Sequence, residues 1–111
     1  MTTPAPLLDQ TAIEALIIGA TPAWILKHSN SCPVSFAALE QVTAHLAANA
    51  EPAGMITVQT HRPLSNWLAT RLGYVHQSPQ LFLVRAGAVL WQGSHWGITA
   101  TAMATARAKA G

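Results

Sequence analysis

The stretch Ala23-Trp24-Ile25-Leu26-Lys27-His28-Ser29-Asn30-Ser31-Cys32-Pro33-Val34-Ser35 decides the reading of the fold. Its first five residues form an apolar run too short for a helix, which reads as a buried strand. His28 to Ser31 is a polar loop. Cys32-Pro33 then opens a helix, because proline suits the first helical position, where its missing N–H would have had no partner anyway. Val34, Ala38, Leu39, Val42 and Leu46 fall on one apolar stripe, with Glu40, Gln41 and His45 off it. A strand, a tight loop and a helix therefore follow one another, with a cysteine at the last junction.

The pattern extends in both directions. Upstream, Thr11 and Glu14 have the spacing of a capping box. Ile13, Leu16 and Ile17 then mark a helix, and Gly19 offers a left-handed stop. Residues 1–8, with Pro4 and Pro6, read as an irregular arm. Downstream, Met55 to Gln59 alternates as a strand, and Pro63 opens a helix with Leu64, Trp67, Leu68 and Leu72 inward and Gly73 as its stop. Leu81–Arg85 and Ala88–Trp91, joined by Ala86-Gly87, predict a hairpin, and a last helix spans about Ile98 to Lys109. A βαβ unit followed by a hairpin and a closing helix predicts an α/β domain with a four-stranded mixed sheet flanked by helices. This is a thioredoxin-like layout with an extra N-terminal helix, one domain over residues 1–111.

Composition narrows the function classes. The chain has 111 residues, 50% apolar and 9% charged, with a net charge of +2. That composition fits one folded domain, and the small, scattered basic excess argues against nucleic acid or an anionic membrane as partner. The first basic residue is Lys27, so no secretory signal is expected, and no apolar run reaches the ~20 residues of a membrane span. With a single cysteine no intrachain disulfide can form, and the expected compartment is the reducing cytoplasm.

A lone cysteine can be a small buried hydrophobe or a reactive thiol. Its setting at a helix start favours the second reading. The dipole's positive end, the free amides of Val34 and Ser35 and the Ser35 hydroxyl all stabilise a thiolate, so a lowered pKa is expected for Cys32. In the motif Cys32-Pro33-Val34-Ser35 a hydroxyl stands where a second thiol could resolve a mixed disulfide. The expected chemistry is a one-thiol cycle: Cys32 accepts a thiol group and an outside thiol removes it. Ser78-Pro79, directly before the hairpin, is expected to be a cis peptide whose Ser78 backbone faces the thiol, the alternative being a trans proline that starts a strand. His28 and Cys32 are too few for a metal site, and none is expected. His76 and His95 flank the hairpin as hydrogen-bond partners or direct participants. Trp96 is a candidate ligand wall, whereas His45 and His61 lack supporting context and the other tryptophans read as core.

The segments Ile25 to Ser35, His61-Arg62-Pro63-Leu64-Ser65-Asn66, His76-Gln77-Ser78-Pro79-Gln80 and Trp91-Gln92-Gly93-Ser94-His95-Trp96-Gly97-Ile98-Thr99 together resemble the monothiol bacilliredoxins. The resemblance implies a thiol-disulfide oxidoreductase that removes bacillithiol from S-bacillithiolated cytoplasmic proteins. Carried over by residue, Cys32 would be the nucleophile and Ser78-Pro79 the substrate-facing loop, with Ser35 in place of a resolving thiol. The residues themselves add Pro33, Val34 and Ser35 as supports of the thiolate and Ser31 and Trp96 as further substrate-facing positions. The resemblance further implies no bound cofactor, bacillithiol or another small thiol as co-substrate, and bacillithiolated proteins as partners. Ser31 departs from related sequences, which often carry a basic residue there. Two other readings remain open: a thioredoxin-fold binding module whose thiol does not turn over, and an iron–sulfur carrier like the monothiol glutaredoxins.

Overall fold

A computed structural model describes residues 3–111. Five strands, β1 (Ala5–Pro6), β2 (Ala23–His28), β3 (Ala53–Thr57), β4 (Gln80–Arg85) and β5 (Ala88–Ser94), form one sheet in the order β1-β3-β2-β4-β5. Four helices, α1 (Gln10–Ile18), α2 (Pro33–Ala48), α3 (Arg62–Leu72) and α4 (Ala100–Ala110), cover it. β3 pairs with β2 in parallel and β4 antiparallel, while β4 and β5 make the expected hairpin. Its turn uses Ala86 and Gly87, both at positive φ (50° and 85°), as a two-residue hairpin requires.

Alternation along the central strands divides the core into two layers. Ile25, Phe82 and Val84 face Ile13 and Ile17 of α1 and Leu68 of α3. Trp24, Leu26, Leu81 and Leu83 face Val42 of α2 and Met103 of α4. Lys27, in phase with Ile25, therefore points to the α3 side.

The described part of the N-terminal arm is not irregular, and the sheet has five strands rather than four. Ala5 and Pro6 pair in parallel with Gly54 and Met55, and the Leu7 amide donates to the Met55 carbonyl at 2.8 Å. Proline is tolerable because β1 is an edge strand. Leu7 is buried against Gly54, where an added Cβ would lie 2.5 Å from the leucine's side chain. Met1 and Thr2 of that arm lie outside the described residues.

Helix ends shift for identifiable reasons. Asp9, not Thr11, caps α1: its carboxylate accepts from the Ala12 amide at 2.8 Å, while Glu14 pairs with Arg71. Gly19 is not left-handed (φ −62°). The carbonyls of Ile17 and Gly19 instead accept from Gly87 and Ala86 of the hairpin turn, both at 2.8 Å. Gly73 does end α3 in the left-handed conformation, at φ 76°. β3 runs earlier than expected, because its register places Ala53 beside Trp24 and leaves residues 58–60 as a turn. His45, expected off the apolar stripe, is buried, hydrogen-bonds Glu51 at 2.7 Å and packs edge-on to Trp24. α4 starts at Ala100 rather than Ile98, because Thr99 caps it after a 3₁₀ turn at His95–Gly97. Among the described residues no helix is long and apolar enough to cross a membrane.

Candidate functional site

The loop after β2 is held from below and from the side. Ser35 is fully buried, and its Oγ accepts from the Ser29 amide at 3.2 Å, tying the first turn of α2 to the end of β2. Gln59, in the turn after β3, accepts from the Asn30 amide at 3.0 Å. Its Nε2 donates to Ser29 Oγ at 2.6 Å and to Ser31 Oγ at 3.0 Å. Ser31, expected to face substrate, is exposed and at the same time braces the loop. Gln59 was not singled out from the sequence, since a lone glutamine after a strand carries no motif.

That bracing sets Cys32 at the N-cap of α2 with extended backbone (φ −119°, ψ 118°) and its thiol half-buried. A wholly buried cysteine would have been an inert core residue. The thiol is held below its ordinary value, first by the Ser35 amide and then by the Val34 amide and the Ser35 hydroxyl, against partial desolvation that pushes it up. The Ser35 amide also bonds the Cys32 carbonyl at 3.0 Å, so it is a shared donor. The uncharged thiol makes no closed cap hydrogen bond. The stabilisation comes from the aim of these donors and grows as negative charge develops on sulfur. His28 supplies no cation here: it is buried edge-on to Phe36, and burial pushes its pKa down.

The Ser78–Pro79 peptide is cis, as the sequence reading expected. Antiparallel pairing sets Gln80 opposite Lys27, so Ser78 and Pro79 lie at the end of β2 from which the Cys32 loop departs. Pro79 is buried, and its carbonyl accepts from the His95 amide at 3.1 Å. Ser78 Oγ is buried without a partner among the described residues. His95 occupies the left-handed region (φ 52°), and the turn it starts leaves Trp96 71% exposed. His95 and Trp96 line a groove of about 210 Å³ with Ala37, Gln41 and Thr99. Trp96 is therefore a surface wall beside α2, in contrast to the core-bound Trp24.

His76 takes a position the sequence left open. Its Nδ1 lies 3.1 Å from Lys27 Nζ and 3.5 Å from Ser65 Oγ. Burial pushes the Lys27 ammonium down to about 8. His76 is lowered by burial and by the positive charges of Lys27 and Arg62, so its ring is neutral near pH 7, with Nδ1 accepting from Lys27. Among the described residues no three His, Cys, Asp or Glu side chains converge to hold a metal.

This arrangement has a counterpart among known proteins. The family profile described as monothiol bacilliredoxin BrxC matches residues 6–103. The chain belongs to the monothiol bacilliredoxin family. A solved structure described as a proposed oxidoreductase with a thioredoxin fold superposes with a TM-score of 0.88 at 29% identity, covering 94% of this chain and 93% of that one. The oxidised mitochondrial thioredoxin 3 of Saccharomyces cerevisiae superposes with a TM-score of 0.74 at 15% identity, covering 96% of this chain and 94% of its own. A Fasciola hepatica thioredoxin gives 0.76 at 13%, covering 95% and 97% respectively. These last two bear on the fold alone. Bacilliredoxin membership and the oxidoreductase likeness support a thiol redox role for the chain.

Proposed function

We propose that this bacilliredoxin removes bacillithiol from S-bacillithiolated cytoplasmic proteins through a mixed disulfide on Cys32. The observation that carries the reading is a half-exposed thiol at the N-cap of α2, aimed at by the Val34 and Ser35 amides, with a hydroxyl where a second thiol would stand.

The cycle has two displacements. The Cys32 thiolate attacks the bacillithiol sulfur of the modified protein. A Cys32–bacillithiol disulfide forms, the old disulfide breaks, and the client leaves as a thiolate. A free bacillithiol thiolate then attacks the capped Cys32, releasing the Cys32 thiolate and oxidised bacillithiol. Each step breaks one disulfide and makes one, so no net oxidant is consumed. Ser35 stabilises the departing Cys32 thiolate but cannot attack sulfur to close a disulfide. The main-chain groups of Ser78, in the bend at the cis peptide, would pair with the client, and Trp96 offers an apolar wall to the small thiol.

The test is turnover of a bacillithiolated protein in the presence of free bacillithiol, read by intact mass. The native chain should release the client, and Cys32→Ser should not. Equal release by the two proteins would overturn the reading.

A further inference from the structure

Lys27 is wholly buried, yet no carboxylate among the described residues pairs with it. The sequence contains four acidic residues. Asp9 caps α1, Glu14 pairs with Arg71, Glu51 pairs with His45 and Arg107, and Glu40 lines the groove beside Trp96. The partner that Lys27 does have, His76, is a neutral ring that accepts one of three ammonium protons. Burying a cation without a counter-charge is costly, and negative charge brought close to Lys27 would offset that cost.

The surroundings favour an anion too. Arg62, exposed at the first position of α3, is near enough to depress His76. The N-terminus of α3 has no side-chain cap, so the positive end of its dipole is open. With Nδ1 turned to Lys27, the Nε2–H of His76 is left as a donor. These groups come from the end of β2, the start of α3 and the loop before the cis proline, which is the end of the sheet that carries Cys32. Gln59, three residues before Arg62, physically joins that corner to the Cys32 loop.

Building on the proposed function, we propose that Lys27, His76 and Arg62 form a subsite for a carboxylate borne by the small thiol that Cys32 takes up. Arg62 and His76 contact the carboxylate, and Lys27 acts from behind through His76. A small group suits the site, because Lys27 is covered and His76 half-buried, whereas an acidic side chain fixed on a folded client must bring its backbone with it.

The experiment measures how fast Cys32 takes up a thiol group from 3,3′-dithiodipropionate and from its uncharged dimethyl ester, by intact mass. In each reaction the Cys32 thiolate displaces one thiolate and keeps the other half as a mixed disulfide. The native chain should favour the dicarboxylate by about tenfold at low salt, with the preference shrinking as salt rises. Arg62→Gln and His76→Gln should each cut the ratio several-fold. Arg62 is exposed, so its variant is expected to fold. Uptake from both disulfides with no preference, or a preference that survives both substitutions, overturns the subsite alone. Uptake from neither overturns the proposed function as well. Peptide mixed disulfides with Glu or Gln beside the cysteine form the last arm. A Glu preference there, with none between the small disulfides, would assign the basic corner to the client instead and overturn the proposal.

Discussion

Cys32, Ser35 and Lys27 carry most of the chemical consequence. Alkylation of Cys32 followed against pH should reach half its maximal rate below pH 9.0, the value of an unperturbed thiol. Ser35→Ala should shift that midpoint upward and destabilise the fold by about 1–3 kcal/mol, because the buried Ser29 amide loses its acceptor. Ser35→Cys should let the chain shed a thiol cap without any outside thiol, through a disulfide between Cys32 and the introduced thiol. Lys27 yields a separate pH signature. Its folded-state value of about 8 lies below the free value of 10.5, so folding disfavours its cation. The deficit in stability relative to Lys27→Met should be largest below pH 8 and should shrink as pH rises from about 8 towards 10.5. Denaturant midpoints of the two proteins across that range check it.

The elements show which parts of the architecture could be read from residue order. The β2–loop–α2 unit was legible, because an apolar run, a polar loop and Cys32-Pro33 are local signals that agree with one another. So were the β4–β5 hairpin and the stop at Gly73. β1 was not: Ala5-Pro6 has no strand pattern of its own and pairs only because β3 offers an edge and Gly54 leaves room for Leu7. Gly54→Ala should therefore dislodge Leu7 and cost about 1–3 kcal/mol, seen as a lower denaturation midpoint together with faster amide exchange at Leu7. The end of α1 is equally non-local, since its carbonyls are satisfied by the hairpin turn far along the chain. Within the site, Cys32, Ser35 and Pro79 stood out through motif and neighbours. Gln59 and the Lys27–His76 pair did not, because each depends on contact between segments 28–49 residues apart.

At the scale of the whole molecule, the mixed sheet gathers the Cys32 loop, the start of α3, the cis proline and the Trp96 turn at one end, while the two apolar layers fix the rest. A single cysteine on such a frame can receive a thiol but cannot discharge it alone. The most direct test mixes the reduced chain with a limiting amount of bacillithiolated protein, then adds free bacillithiol, taking intact mass spectra at each stage. The adduct is expected to move to Cys32, stay there, and leave only on the second addition. An adduct that never reaches Cys32 in a folded protein, or that leaves before free bacillithiol is added, would contradict that expectation.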